Sequence, residues 1–268
     1  MQRKILIIDD HDDLATALDD VFTHTGHDVK VVEDRRSALA IPHIDDFDIV
    51  ITDLDVAPGE RISKNGSEPA CVPDLPDAAA DEHVKAFKIC AAKFRRENFN
   101  EEELKHIVAT VLDYKTRFID KPDFVAGIHE NIEFEIPSAM SLMHIVLEYL
   151  MKRVEKQGVC KPEQSNLFVA LDEAFVNAVK HGNKYDHDKL VRVIADVSKD
   201  EARFTIEDEG EGFDVKNIPD PLDPENLFKT SGRGVLFIHN IMDEVTYNDR
   251  GNRVTMVKKA KDDKVEKA

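Results

Sequence analysis

ALDEAFVNAVKHG, residues 170–182, decides how the C-terminal half of the chain is read. Ala170, Leu171, Ala174 and Val179, with Leu167 just upstream, recur at helical spacing and mark an apolar face. Glu173 and Asn177 stand four residues apart and therefore share one face of the same helix. An asparagine offers a neutral carbonyl oxygen suited to Mg²⁺, and a glutamate can orient or deprotonate a nucleophile. Taken alone, such a pair is more often an ordinary solvated face.

Two further stretches follow in order. EDEGEGFD, residues 207–214, ends an alternating strand at Asp208 and continues through Gly210 and Gly212, which permit close backbone approach to a ligand. TSGRGVLFI, residues 230–238, leads into a helix whose free N–H groups can meet phosphates, with Arg233 adding charge. No Walker sequence or dinucleotide fingerprint is present, since the spacing of GEGFDV and GRGVLF fits neither.

Around these stretches, NIEFEIP from Asn131 reads as a strand, Ser138 to Gln157 as a long amphipathic helix ended by Gly158, and Pro162 to His181 as a second helix. LVRVIADV and ARFTIEDEG alternate as strands, a short helix runs near Gly234 to Met242, and EVTYN and RVTMVK are the last strands. Helices and antiparallel strands in segregated runs predict an α+β sandwich over residues 131–260. Residues 261–268 form a charged tail.

The N-terminal half reads differently. KILIID is a short apolar run bounded by acids, as a buried parallel strand should be. Leu14, Ala17, Leu18, Val21 and Phe22 mark a helix, DVKVVED a second strand, Ser37 to Ile41 a short helix and FDIVITDLD a third strand. The alternation predicts an α/β domain with a parallel sheet over residues 1–118. From Ala57 to Ala80, four prolines erase the periodicity. Helical periodicity returns in DEHVKAFKICA and in NEEELKHIVATVLDYKTRF, where Asn100 and Glu103 have the spacing of a capping box. Residues 119–130 read as the linker.

Asp9 and Asp10 fall at the carboxyl end of the first strand, and Asp53 at that of the third, where ligands bind in open parallel sheets. Three converging carboxylates would suit Mg²⁺; the alternative is loop acids in an acidic protein.

The 268 residues carry 36 Lys and Arg against 54 Asp and Glu, a net charge of −18 that argues against broad contact with nucleic acid or anionic lipid. No apolar run approaches the ~20 residues needed to span a bilayer, and the first residues lack a signal-peptide core. Cys71, Cys90 and Cys160 show no paired spacing and read as reduced thiols of a cytoplasmic protein.

The three ordered stretches of the C-terminal half resemble the GHKL (Bergerat-fold) ATP-binding family, with its N box, DxGxG box and GxG box. The similarity is to the anti-sigma-factor serine kinases of bacterial partner switching, and it extends to GNRVTMVK. The resemblance implies ATP with Mg²⁺ held by Asn177, Glu173 as general base, and Asp208 accepting from the adenine amino group. It further implies Gly210 and Gly212 beside the base, Gly232, Arg233 and Gly234 on the phosphates, and Thr255 helping to hold adenine. Residues 214–231 would form a lid. Lys180 and His181 lie near the N box without an assigned contact.

The N-terminal half resembles the receiver domain of response regulators, a flavodoxin-like fold, through IIDD and then ITDLD with the phosphoacceptor at Asp53. AFKICAAKFRRENF and NEEELKHIV resemble that family's last strand and helix. The receiver is degenerate: Glu97 stands where the family has a lysine, and no Ser or Thr lies between Ser67 and Thr110. A carboxylate there opposes the charge of an aspartyl phosphate, so docking or dimerisation is the competing role.

The expected function is therefore an ATP-dependent serine/threonine protein kinase that phosphorylates a STAS-type anti-anti-sigma protein and sequesters a sigma factor. The resemblance also implies a homodimer. Two alternatives stay open: a non-catalytic ATP/ADP-gated binding module, and a histidine-kinase-like protein, for which His106, His129 and His144 all lack the expected context.

Overall fold

The computed structural model describes residues 2–11, 13–59, 83–94, 99–120, 128–161, 165–214 and 233–260. Among the described residues nine strands form one sheet: β1 (Lys4–Asp9), β2 (Asp28–Val32), β3 (Ile49–Val56), β4 (Val84–Cys90), β5 (His129–Pro137), β6 (Leu190–Val197), β7 (Glu201–Asp208), β8 (Glu244–Tyr247) and β9 (Arg253–Lys259). Their order is β2-β1-β3-β4-β5-β6-β7-β9-β8. The helices are α1 (Asp13–His24), α2 (Arg35–Leu39), α3 (Glu101–Tyr114), α4 (Met140–Gln157), α5 (Leu167–Val176) and α6 (Arg233–Ile241).

Strands β1, β2 and β3 are parallel and connected through α1 and α2, as their apolar runs predict. The strands from β5 to β9 pair antiparallel. The two sets are not separate sheets. β4 runs antiparallel to β3 and parallel to β5, so hydrogen bonding continues across the expected boundary. This departs from a flavodoxin-like arrangement, in which the strand after β3 would continue the parallel run. The helical reading of DEHVKAFKICA is also corrected. Val84, Ala86, Phe87, Ile89 and Cys90 are all buried, because a strand covered on both faces is apolar at successive positions. β5 starts inside the stretch read as a linker, of which residues 121–127 lie outside those described.

One apolar layer follows the sheet from end to end. Ile5 and Ile7 of β1, Phe87 of β4, Phe134 of β5, Val193 of β6 and Phe204 of β7 all contribute to it, under α1, α3, α4, α5 and α6. A second, smaller core under α2 covers the opposite face at the N-terminal end of the sheet, through Leu6, Ile8, Val50 and Leu54 and, on β4, Val84 and Ala86. One covered face explains why β6 and β7 alternate in burial while β1 is buried from Ile5 to Asp9.

Caps and cross-links fix the helices. Asn100 Oδ1 accepts from the Glu103 N–H at 3.1 Å, the first half of the expected capping box. The Glu103 carboxylate turns instead to Arg3, at 2.8 Å. α4 ends at Gly158 in the left-handed region, as read from the sequence. Glu101 of α3 accepts a hydrogen bond from Ser141 of α4, and Phe99 stacks on His187 with centroids 4.7 Å apart. Cys160 is a free thiol, and Cys71 lies outside the described residues. No helix among the described residues is long and apolar enough to cross a membrane.

Candidate functional site

α5 brings Leu167, Ala170, Leu171, Ala174 and Phe175 into the core and leaves Glu173 and Asn177 half-exposed on its other side. From Asn177 to Gly182 the backbone widens into a π-helical turn, a form that recurs at functional positions. The chain then reverses through Asn183, which is fully buried. Its Nδ2 donates to the Leu190 carbonyl at 2.8 Å, and its Oδ1 accepts from the Glu209 N–H at 2.9 Å. One amide thus ties the end of the helical segment to the start of β6 and to the turn after β7.

That turn presents Asp208. Its Oδ1 accepts from the Gly210 N–H at 2.7 Å, and its backbone carbonyl accepts from Asn252 Nδ2 at 2.6 Å. Burial pushes the Asp208 carboxyl above its ordinary range, opposed by the Gly210 hydrogen bond. The close packing dictates glycine here. A Cβ at Gly182 would overlap the Asp208 carboxylate, and one at Gly210 would overlap the Gly182 carbonyl. Gly212 has φ +77° and would drive a Cβ into the Arg250 carbonyl. Arg250 Nη2 in turn donates to the Gly210 carbonyl at 2.6 Å.

α6 starts at Arg233 and packs on α5. Gly234 sits so close to α5 that a Cβ would overlap the Glu173 carboxylate and stand 3.8 Å from Asn177 Nδ2. Gly234, distant in sequence from Glu173 and Asn177, therefore meets them beside a groove that Asn177 lines. A cavity of about 260 Å³ opens there. Asn177, His181, Asp208 and Gly212 line it, and Ile206, Ile238 and Val254 supply apolar walls. An apolar slot lined by a carboxylate and lying beside the start of a helix suits a flat base carrying a phosphorylated tail.

The structure separates the expected residues. Glu173, Asn177, Asp208, Gly210, Gly212 and Gly234 gather around the groove. Gly232 and the Arg233 side chain lie outside the described residues, as does the expected lid from 215 onward. Lys180 is exposed and does not line the cavity, whereas His181 does. Thr255 is a correction. Val254 and Met256 face the helices, so strand alternation turns Thr255 to the other face, where its hydroxyl meets that of Thr205 at 3.0 Å. Asn252, which is buried and holds Asp208, occupies the position that sequence reasoning missed. Its only signal is an amide in the turn GNRV.

The acidic residues of the N-terminal half form no comparable groove. Asp9 Oδ2 accepts from the Ala15 N–H at 2.8 Å and its Oδ1 from the His11 N–H at 3.1 Å, so this carboxylate anchors the start of α1. Asp10 accepts from the Asp55 N–H at 2.8 Å. Asp53 is buried, and both of its oxygens accept from Lys115 Nζ, at 2.9 and 2.8 Å. No group of three His, Cys, Asp or Glu able to hold a metal occurs among the described residues. The carboxylates of Asp9, Asp10 and Asp53, expected to converge on Mg²⁺, here accept from backbone N–H groups and an ammonium.

Glu97 lies outside the described residues, and Lys115 fills the part of a cation beside Asp53. Lys115 opens a π-helical turn, Lys115–Ile119, after α3. Burial works against its ammonium, but Asp53 and Asp120 outweigh burial and raise its pKa. The alternation of charge continues: Lys115 lies 3.6 Å from Asp120, Arg153 of α4 lies 2.9 Å from Asp120, and Arg153 Nε donates to Glu130 at 2.7 Å. All five side chains are buried, and they join the N-terminal strands to the first helix of the antiparallel half.

Comparison with known proteins bears on the C-terminal half. A family model described as histidine kinase-like ATPase domain matches residues 136–258. The serine-protein kinase RsbW of Staphylococcus aureus (strain JH9) is 26% identical over 142 residues, 50% of this chain and 89% of the relative. That of Staphylococcus epidermidis is 27% identical over the same shares. The stretch that carries Glu173, Asn177 and Gly234 thus matches a histidine kinase-like ATPase domain and is similar to bacterial serine-protein kinases.

Proposed function

We propose that this protein is an ATP-dependent protein serine/threonine kinase of a bacterial partner-switching system. It transfers phosphate to a STAS-type anti-anti-sigma protein and sequesters a sigma factor. The observation that carries the reading is the meeting of Glu173, Asn177 and the start of α6 beside a groove that both Asn177 and Asp208 line. A site that only binds nucleotide has no need of a carboxylate beside the phosphate end. The relatives named serine-protein kinase support the choice of acceptor.

In this reading Asp208 accepts from the adenine amino group, while Gly210 and Gly212 let the backbone approach the base. Gly232, Arg233 and Gly234 receive the phosphates at the helix N-terminus. Asn177 lines the groove and carries a neutral amide oxygen suited to a hard cation, so it would hold Mg²⁺, which supplies charge neutralisation on the phosphates. Glu173 takes the proton of the acceptor hydroxyl. The serine oxygen then bonds to the terminal phosphorus, the bond to the bridging oxygen breaks, and ADP leaves with that electron pair. Thr255 has no part in the site. The N-terminal half acts as a receiver-like regulatory element over residues 1–118, and the active species is a homodimer.

The test adds γ-labelled ATP and Mg²⁺ to the protein in lysate of its own organism, with Asn177→Ala and Glu173→Gln alongside. An acid-stable label on a small protein is expected, lost with Asn177→Ala and slowed about 10²- to 10⁴-fold with Glu173→Gln. Acid-labile label on the chain itself would overturn the serine kinase in favour of a histidine or aspartyl phosphate. ATP binding without any transfer would reduce the protein to a nucleotide-gated binder.

A further inference from the structure

Tyr247 closes β8, the last strand of the sheet, and belongs to none of the three sequence boxes. It pairs with Val254, which pairs with Ile206, so three residues in a cross-strand row form one wall of the cavity. Asp208 lies two residues beyond Ile206 on the same strand face. Tyr247 therefore belongs to the wall of the cavity that the sheet forms, on the same strand face as Asp208. Its ring is held edge-on to Phe213, centroids 5.5 Å apart, and tilted against His239 at 6.2 Å.

The hydroxyl is the anomaly. It is buried and has no hydrogen-bond partner. Thr52, Ser138 and Gln157 carry buried oxygens in the same condition, but among these four only Tyr247 lines the cavity. A buried polar group without a partner carries a cost that a ligand can relieve. Burial also pushes the phenol up to about 12, so it stays protonated in ordinary buffers and is a donor seeking an acceptor.

We propose that Tyr247 is a specificity residue of the base pocket, its hydroxyl donating to a ring nitrogen of the purine whose amino group faces Asp208. This rests on reading the cavity as a nucleotide site. Asp208 selects a donor on the base and Tyr247 an acceptor, so together they read two edges of opposite hydrogen-bonding sense. A ring lacking the nitrogen leaves the phenol unpartnered.

The test titrates wild type and Tyr247→Phe with ATP and its 1-deaza, 3-deaza and 7-deaza analogues in Mg²⁺. One analogue is expected to bind wild type about fivefold more weakly than ATP, the size of one net hydrogen bond. Tyr247→Phe should bind ATP weaker by the same factor and no longer distinguish ATP from that analogue, as a closed double-mutant cycle requires. Equal affinity of wild type for ATP and all three analogues overturns the proposal without any variant. Unchanged ATP affinity in Tyr247→Phe overturns it too, as does an equal loss against every ligand. In those cases wild type still binds ATP and the nucleotide reading stands; no binding of ATP by wild type removes both.

Discussion

Replacing Lys115 by Met removes the one ammonium that touches both oxygens of Asp53, at 2.8 and 2.9 Å, while keeping an apolar side chain of similar length. Asp53 is 6% exposed and Lys115 3%, so water cannot take over the lost contacts without opening the core. Removing one partner of a buried ion pair costs about 3–5 kcal/mol, a large share of the ~5–15 kcal/mol that holds a domain folded. With a urea slope of about 3 kcal/mol/M, the unfolding midpoint drops by about 1–1.7 M. Circular dichroism in urea reads this directly. The pH dependence supplies a second signature. Burial raises the Asp53 pKa and Lys115 opposes it, so without the lysine the carboxyl titrates well above its ordinary range. The folded variant then binds a proton that the unfolded chain releases. Its stability falls as pH rises through that window and recovers on acidification. The double variant Asp53→Asn with Lys115→Met should regain most of the loss. A Lys115→Met midpoint within about 0.3 M of wild type would refute the reasoning, since the pair would then be worth no more than an exposed one.

Gly182→Ala places a methyl group on the Asp208 carboxylate, so nucleotide affinity should fall about tenfold or more in a fluorescent-nucleotide titration. Thr255→Val should leave that affinity unchanged, because the side chain faces the other side of the sheet, and cost about 0.5–1.5 kcal/mol in urea through the lost Thr205 contact. Because burial raises the Asp208 pKa, protonation removes the acceptor for the base amino group at a pH above the usual carboxylate range. Affinity should thus be constant above that pKa and weaken below it, and Asp208→Asn should flatten the profile.

Most strands were legible because their burial is uniform. Ile5 to Ile8 are apolar in succession since both faces of β1 are covered, and β6 alternates since one face is open. β4 was misread for the same reason that β1 was readable. Val84, Ala86, Phe87, Ile89 and Cys90 satisfy a helical period as well as a doubly buried strand, and nothing in seven residues states a strand's direction. The groove was legible where glycines and acids cluster by box. It failed at Thr255, although the alternation of Val254 and Met256 already fixed that residue's face. The partner of Asp53 was beyond reach, since Lys115 lies 62 residues downstream and looks like any lysine on a solvated helix end.

The bond between β4 and β5 makes the ATPase-like half unsuited to excision. Seven register pairs, from Val84–His129 to Cys90–Glu135, occupy one side of β5. A chain cut at residue 128 would bare that row of N–H and C=O groups along a nine-residue strand, together with Phe134 in its core. Such a flank recruits any available strand, and the shortened protein should therefore precipitate or pair with itself where the whole chain stays dispersed.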